Sequence, residues 1–463
     1  MRPHLPSDNH DDATPLAQLL TPEGMHLVDS LGPYSEDQVL AVSTRLRAEG
    51  FAPEVVSEAL TQSRLRTAGA EKFGEFASRM LFTQTGLEQA TRMQVSALHA
   101  QRFVDADITS VADLGCGIGA DSMALAGLGL SVVAVERDHT TAAVATVNLM
   151  PFPNAQVVAG DAQAIDWDSV PGGRPHSLWL DPARRTDDRP RSASSQRIFD
   201  PEAFSPPLSF VQELAATGIP MGVKMGPGMP HSAIPADCEA QWVSHRGDVV
   251  EVVLWFNALA RPGVRRAALV LHDDATRQEL TSATEFPDLA EEPDHVDSPP
   301  TSEDHGAPEA DGHGHFPQVI PGCVLWEPHG AVIRAGLVQE VGQRLGARLI
   351  HPRIAYLVGP AGGELVSGTG GTASSWGFAR GYRIREVLPH TVKVLKTWVK
   401  ANRVGTLEIK KRGTDVTPEQ LRKQLKPSGP NRATLIVTRM ATPEGERRVV
   451  LVADPLPSSH SAE

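Results

Sequence analysis

Between Ser110 and Lys224 the sequence places a glycine turn and three acids just past successive short apolar runs. The first run ends in Val111-Ala112-Asp113-Leu114-Gly115-Cys116-Gly117-Ile118-Gly119. Three glycines in one turn let the backbone take angles closed to other residues and approach a ligand closely. Glu136, followed by Arg137, closes the run Ser131 to Val135; a carboxylate there can accept hydrogen bonds from both hydroxyls of a ribose. Asp161 and Ala162 follow the run at 156–159, and Asp181-Pro182-Ala183-Arg184-Arg185 follows Ser177 to Leu180. The dinucleotide fingerprint GxGxxG is absent.

Hydride transfer with a nicotinamide cofactor would use the turn and Glu136 but leaves Asp161 and Asp181-Pro182 without a task. S-adenosylmethionine uses more of them. Its methionine part would lie on the turn, its ribose on Glu136 and its adenine amine on Asp161, with Asp113 facing the cofactor's amino group or a water bound to it. The acids also suit a cationic cofactor. The candidate cofactor contacts are thus Asp113, Gly115, Cys116, Gly117, Gly119, Glu136, Arg137, Asp161, Ala162 and Asp181. Each acid has a rival task, since a strand-end Asp can cap the following helix.

The elements that must hold these residues follow from patterning. Helices are expected over Tyr34 to Gly50, capped by Ser35, then Phe51 to Arg66, Ala70 to Met80 and Leu87 to Arg102, which makes residues 1–100 a helical region. Repeated strand and helix units then define an open α/β domain over 101–263, with further strands at Met221 to Met225, Ala240 to Ser244 and Val249 to Phe256. Trp179, inside a strand, reads as core. Residues 264–345 read as a small linker domain whose stretch 285–315 is expected to be a disordered acidic insertion, because 285–311 holds ten acids and no Lys or Arg. Four histidines there stand at no metal-binding spacing, and no metal is expected. A strand at 322–328 and a helix from Ala331 to Leu345 follow.

The net charge of -13 would argue against a nucleic-acid partner if it were spread evenly. It is not: Arg380 to Arg439 carries fifteen Lys or Arg against four acids, so the tail, 346–463, is locally basic and suited to a polyanion. Its order of strand, helix, strand, helix, strand, strand fits an α+β unit of ferredoxin-like size. Three scattered cysteines in 463 residues argue against a disulfide framework or zinc motif. With no twenty-residue apolar run and no signal-peptide pattern, a cytoplasmic protein is expected, of undetermined oligomeric state.

Val111 to Gly119, Glu136 and Gly160-Asp161-Ala162 resemble the cofactor motifs of class I S-adenosylmethionine-dependent methyltransferases over about residues 100 to 260. The wider chain resembles the bacterial, actinobacterial-type methyltransferase family with a THUMP-like C-terminal domain. That resemblance rests on Leu81-Phe82-Thr83, Gly86-Leu87-Glu88-Gln89-Ala90-Thr91, Asp181 to Arg185, and Leu407-Glu408-Ile409-Lys410-Lys411-Arg412-Gly413. It implies a Rossmann-like core, S-adenosylmethionine as cofactor and, because THUMP domains are RNA-binding modules of tRNA-modifying enzymes, tRNA or rRNA as substrate.

In amino-directed methyltransferases an Asp or Asn followed by Pro-Pro and an aromatic residue accepts a hydrogen bond from the target NH2. Asp181-Pro182 matches the first half of that motif and supplies the candidate catalytic residues; Ala183-Arg184 departs from the second. Shaping the methionine end of the cofactor pocket is the other task open to Asp181. Arg184, Arg185, Lys224, Lys410, Lys411 and Arg412 are candidate phosphate or base contacts. A small-molecule or protein methyltransferase, and a non-catalytic RNA-binding protein with a degenerate methyltransferase fold, are the alternatives.

Overall fold

Apolar runs of four to six residues separated by helices give parallel strands, because only a long crossover returns the chain to the same end of a sheet. In the computed structural model, which describes residues 15–184, 201–272, 276–284, 316–359 and 377–457, these runs are β1 (Ser110–Leu114), β2 (Ser131–Glu136), β3 (Ala155–Ala159), β4 (Ser177–Leu180) and β5 (Met221–Met225). They pair in parallel in the order β3-β2-β1-β4-β5. The order reverses between β1 and β4, the switch point outside whose carboxyl ends open α/β sheets bind ligands. Further strands are β6 (Cys238–His245), β7 (Asp248–Phe256), β8 (Arg266–Leu271) and β9 (Arg277–Ser282). The chain forms two compact units, the first running to Met225 and including Trp255–Ala260, the second made of Gly226–Leu254 and everything from Arg261 onward.

In the first unit the N-terminal region is helical, with boundaries that differ from expectation. Pro53–Phe73 is one 21-residue helix that runs through Ala70 and stops at Gly74, whose φ of +57° a side chain would disfavour. The stretch Gly74–Arg79 is a 3-10 turn, not part of a helix from Ala70 to Met80. The helix expected over Leu87 to Arg102 is two, Gln84–Gln89 and Met93–Asp105, because Ala90 and Arg92 are extended. Ser35 stands at the start of a 3-10 turn without a side-chain capping bond. Thr83 does cap Gln84–Gln89, accepting the Gly86 N–H at 3.0 Å. Trp179 is fully buried, with its ring 4.5 Å from that of His99 and 5.8 Å from that of Trp255.

In the second unit β8 pairs in parallel with β6 and antiparallel with β9. The remaining strands are β10 (Val324–Pro328), β11 (Arg348–His351), β12 (Ile354–Gly359), β13 (Ala379–Pro389), β14 (Val404–Lys411), β15 (Asn431–Thr442) and β16 (Gly445–Pro455), one sheet in the order β11-β12-β10-β13-β16-β15-β14. The expected alternation of the tail is present, but its four strands are not a separate ferredoxin-like sandwich. β10 pairs antiparallel with β13 along Val324–Pro328, so the sheet continues into residues upstream of the tail. Helices Val392–Ala401 and Pro418–Leu425 bury Leu395, Val399, Leu421 and Leu425 on one face. The other face packs Tyr382, Ile436 and Leu451 with Ile354 and Tyr356. The sheet therefore curls until His351 of β11 meets Glu446 of β16, Nε2 to Oε1 2.8 Å. The helix expected over Ala331 to Leu345 breaks at Gly336, φ +65°, into Gly330–Arg334 and Val338–Leu345. The acidic stretch 285–315 lies outside the described residues.

A Cβ at Gly222 of β5 would stand 2.6 Å from Trp255 Cζ3 and 2.8 Å from Trp179 Cε3, inside contact distance of two buried rings. Gly222→Ala should therefore destabilise the fold by ~1–3 kcal/mol through overpacking, read as a lower urea midpoint at unchanged slope.

Candidate active site

The glycine turn leaves β1 with Gly115, Gly117 and Gly119 at φ +86°, +55° and +86°. These are left-handed angles that a side chain would strain. The Gly117 N–H donates to Glu136 Oε2 at 3.0 Å and the Asp138 N–H to Oε1 at 2.9 Å, which pins the carboxylate at the end of β2 against the turn. A Cβ on Gly117 would meet nothing within 4 Å, so the turn has open space beside it. One on Gly115 would lie 3.3 Å from the Asp181 carbonyl oxygen, so the turn and Asp181 abut across the switch point. Asn148 ties in the preceding segment: it accepts the Leu81 N–H at 2.8 Å and donates to the carbonyls of Leu81 and Ile118.

Asp113 lies inside β1 and is buried, with Ser122 Oγ donating to its Oδ2. Its Oδ1 is buried without a hydrogen-bond partner. Burial, aggravated by the charge of Asp121, pushes its carboxyl up to about 8. A buried acceptor that lacks a donor carries a cost until one arrives. An unpartnered carboxyl oxygen of this kind suits a cationic group bearing N–H donors, as the amino group of S-adenosylmethionine is. The Cys116 thiol is buried, and that burial pushes it well above its ordinary range, so it is neutral. Asp161 is exposed just past β3, where Oδ1 accepts the Gln163 N–H at 2.9 Å; Ala162 is half-buried and Arg137 exposed.

Asp181 directly follows β4 and is itself followed by buried Pro182 and exposed Ala183. Arg184 is described in its backbone only, and Arg185 lies outside the described residues. Lys224 is brought to Asp181: its Nζ donates to Asp181 Oδ2 and, at 2.8 Å, to Thr91 Oγ1. Thr91 donates onward to Asp121 Oδ2 at 2.9 Å, and His99 Nδ1 lies 3.1 Å from Asp121 Oδ1. Burial alone would raise the Asp121 carboxyl. Its hydrogen bond to His99 and the charges of His99 and Lys224 outweigh that and hold it well below the usual carboxylate range. Asp121 and the link through Thr91 have no signature in the sequence beyond a charged residue in the otherwise small and apolar helix Ala120–Gly127. In the second unit, Lys410 Nζ bonds Glu327 Oε2 at 2.7 Å and Arg412 Nη1 bonds the Ala355 carbonyl at 3.2 Å, while Lys411 is half-buried. Among the described residues no group of three or more His, Cys, Asp or Glu is placed to hold a metal, and no helix is long and apolar enough to cross a membrane.

A crystal structure of a methyltransferase from Porphyromonas gingivalis W83 matches 91% of this chain and 99% of its own, at TM-score 0.63 and 22% identity. The model of the THUMP domain-like family matches residues 379–455, and that of a domain of unknown function, DUF8688, residues 12–69. The chain has the class I S-adenosylmethionine-methyltransferase fold with a THUMP-like C-terminal domain. Two Mycobacterium tuberculosis strains, CDC 1551 / Oshkosh and ATCC 25618 / H37Rv, each hold a relative described as an uncharacterized S-adenosylmethionine-dependent methyltransferase. Each is 28% identical over 410 residues, covering 86% of this chain and 95% of the relative. The chain is thus a homologue of S-adenosylmethionine-dependent methyltransferases.

Because the Asp113 carboxyl titrates higher in the folded chain than in the unfolded one, its penalty on stability builds as pH rises from about 4 to about 8 and is constant above. Asp113→Asn should cancel that penalty, so its urea midpoint should gain on the wild type between pH 5 and pH 8. The same variant should weaken S-adenosylmethionine binding by calorimetry about tenfold or more, the value of a lost charge-assisted hydrogen bond.

Proposed function

We propose that the protein transfers the methyl group of S-adenosylmethionine to an exocyclic amine of a base in tRNA or rRNA. The observation that carries this reading is Asp181, which directly follows β4 and precedes Pro182, with its backbone carbonyl against Gly115 of the glycine turn and its carboxylate paired with Lys224. The cofactor, when bound, supplies a methyl carried on a positively charged sulfur. Asp181 accepts an N–H of the target amine and turns the nitrogen lone pair toward the methyl. Its contribution is orientation and electrostatics, since the amine loses a proton only as the new bond forms. Pro182 stiffens the backbone behind it. Ala183 and Arg184 offer no aromatic ring, so the base is held by other groups.

Residues 101–263 carry the reaction in this reading and the tail 346–463 carries RNA. The THUMP domain-like match supports RNA as the substrate, as do exposed Lys393, Lys396, Lys400, Lys423 and Lys426 on and beside its two helices. Lys410 and Arg412, engaged with Glu327 and Ala355, are weaker candidates for phosphate contacts than these exposed groups. We place the enzyme in the cytoplasm, where its RNA substrate is.

With labelled S-adenosylmethionine, the purified protein should methylate total RNA from a strain lacking it, and nucleoside analysis should recover one N-methylated base. Asp181→Ala should cut turnover by about a hundredfold or more while RNA affinity changes less than threefold. Label appearing only in a metabolite or protein fraction would overturn the RNA substrate, and equal turnover by Asp181→Ala would overturn its catalytic task. Lys393→Glu with Lys396→Glu should weaken RNA binding and flatten its salt dependence without changing S-adenosylmethionine binding. These point variants are preferable to deleting 346–463, which would strip β10 of its neighbour β13.

A further inference from the structure

We propose that Lys224 is a positioning residue for Asp181, held in place by a buried hydrogen-bond chain through Thr91 and Asp121 to His99. Lys224 stands in β5 between buried Val223 and Met225, and its side chain is only 14% exposed. An ammonium so placed needs acceptors on hand. It has one from the reacting end, Asp181 Oδ2, and one from the N-terminal helical region, Thr91 Oγ1 at 2.8 Å. The Thr91 hydroxyl gives its proton to Asp121 Oδ2 at 2.9 Å and so presents a lone pair to Lys224, which fixes the direction of the chain. His99 closes it at Asp121 Oδ1, and its own ring is held against buried Trp179, centroids 4.5 Å apart.

Every member except the terminal Asp181 is buried or nearly so, whereas Asp181 is 34% exposed. The chain thus runs from the packed interior to one partly open carboxylate. Left to itself, an Asp at a strand end samples several side-chain rotamers, and a misplacement of the acceptor by about 1 Å is costly in a reaction that depends on alignment. The ion pair holds one oxygen, Oδ2, and leaves the carboxylate plane set for the amine. Lys224 is in this view neither a phosphate nor a base contact; it acts through Asp181.

This inference rests on Asp181 as the amine acceptor, so the test has one arm independent of turnover. In crystal structures of the wild type and of Lys224→Met, the Asp181 carboxylate should be ordered in the first and displaced or split between rotamers in the second. An unchanged carboxylate overturns the proposal whatever the substrate proves to be. In the methyl-transfer assay Lys224→Met should lower kcat about 30- to 100-fold, with KM for RNA and the Kd for S-adenosylmethionine within threefold of wild type. Thr91→Val keeps the ion pair should Lys224→Met fail to fold. It should lower kcat three- to tenfold, and Lys224→Arg should restore part of the rate. A raised KM at unchanged kcat would make Lys224 a substrate contact and overturn the positioning role. If Asp181→Ala turns over as the wild type does while the carboxylate still moves in Lys224→Met, it is the functional reading that fails and the positioning that stands.

Discussion

Three carboxylates, Asp113, Asp121 and Asp181, crowd the carboxyl ends of β1 and β4 and the helix after the glycine turn, and buried Asp113 feels the charge of both the others. Like charges so placed cannot all stay ionised without compensation. Lys224 supplies it directly to Asp181 and through space to Asp113 and Asp121, while His99 answers Asp121. Burial first, and then the residual repulsion from Asp121 and Asp181, push the Asp113 carboxyl upward. Under the proposed function, an arriving sulfonium cofactor with an ammonium group would relieve part of that repulsion.

The same constraint explains the N-terminal helical region. Thr91 stands at the junction of Gln84–Gln89 and Met93–Asp105, where the chain must be extended for its hydroxyl to reach both Lys224 and Asp121. Lys72 holds that junction from outside by donating to the carbonyls of Leu87, Glu88 and Ala90, the free acceptors at a helix end. A helix uninterrupted from Leu87 to Arg102 would have carried Thr91 away from both partners.

Much of this was legible in the sequence, and the reason is local. Buried runs such as Val132 to Val135 and Ser177 to Leu180 announce strands, and Gly115, Gly117 and Gly119 announce a turn that needs positive φ. The acids at Glu136, Asp161 and Asp181 could be placed because strand ends are fixed by the same pattern. What could not be read is pairing across sequence distance. Lys224 lies 43 residues from Asp181 and 133 from Thr91, and no periodicity encodes either approach. The helix breaks at Gly74 and Gly336 escape the pattern for a different reason: apolar spacing runs on through a glycine whose positive φ ends the helix.

The curled sheet of the second unit draws strands from Val324 through Pro455, with β10 wedged between β12 and β13. The THUMP domain-like match at 379–455 is therefore shorter than the piece of chain whose strands make up this one sheet. Anyone building chimeras between homologues to exchange RNA preference would need the junction upstream of Val324. A cut at the family boundary would leave β13 with a bare edge, and the hybrid would report aggregation instead of specificity.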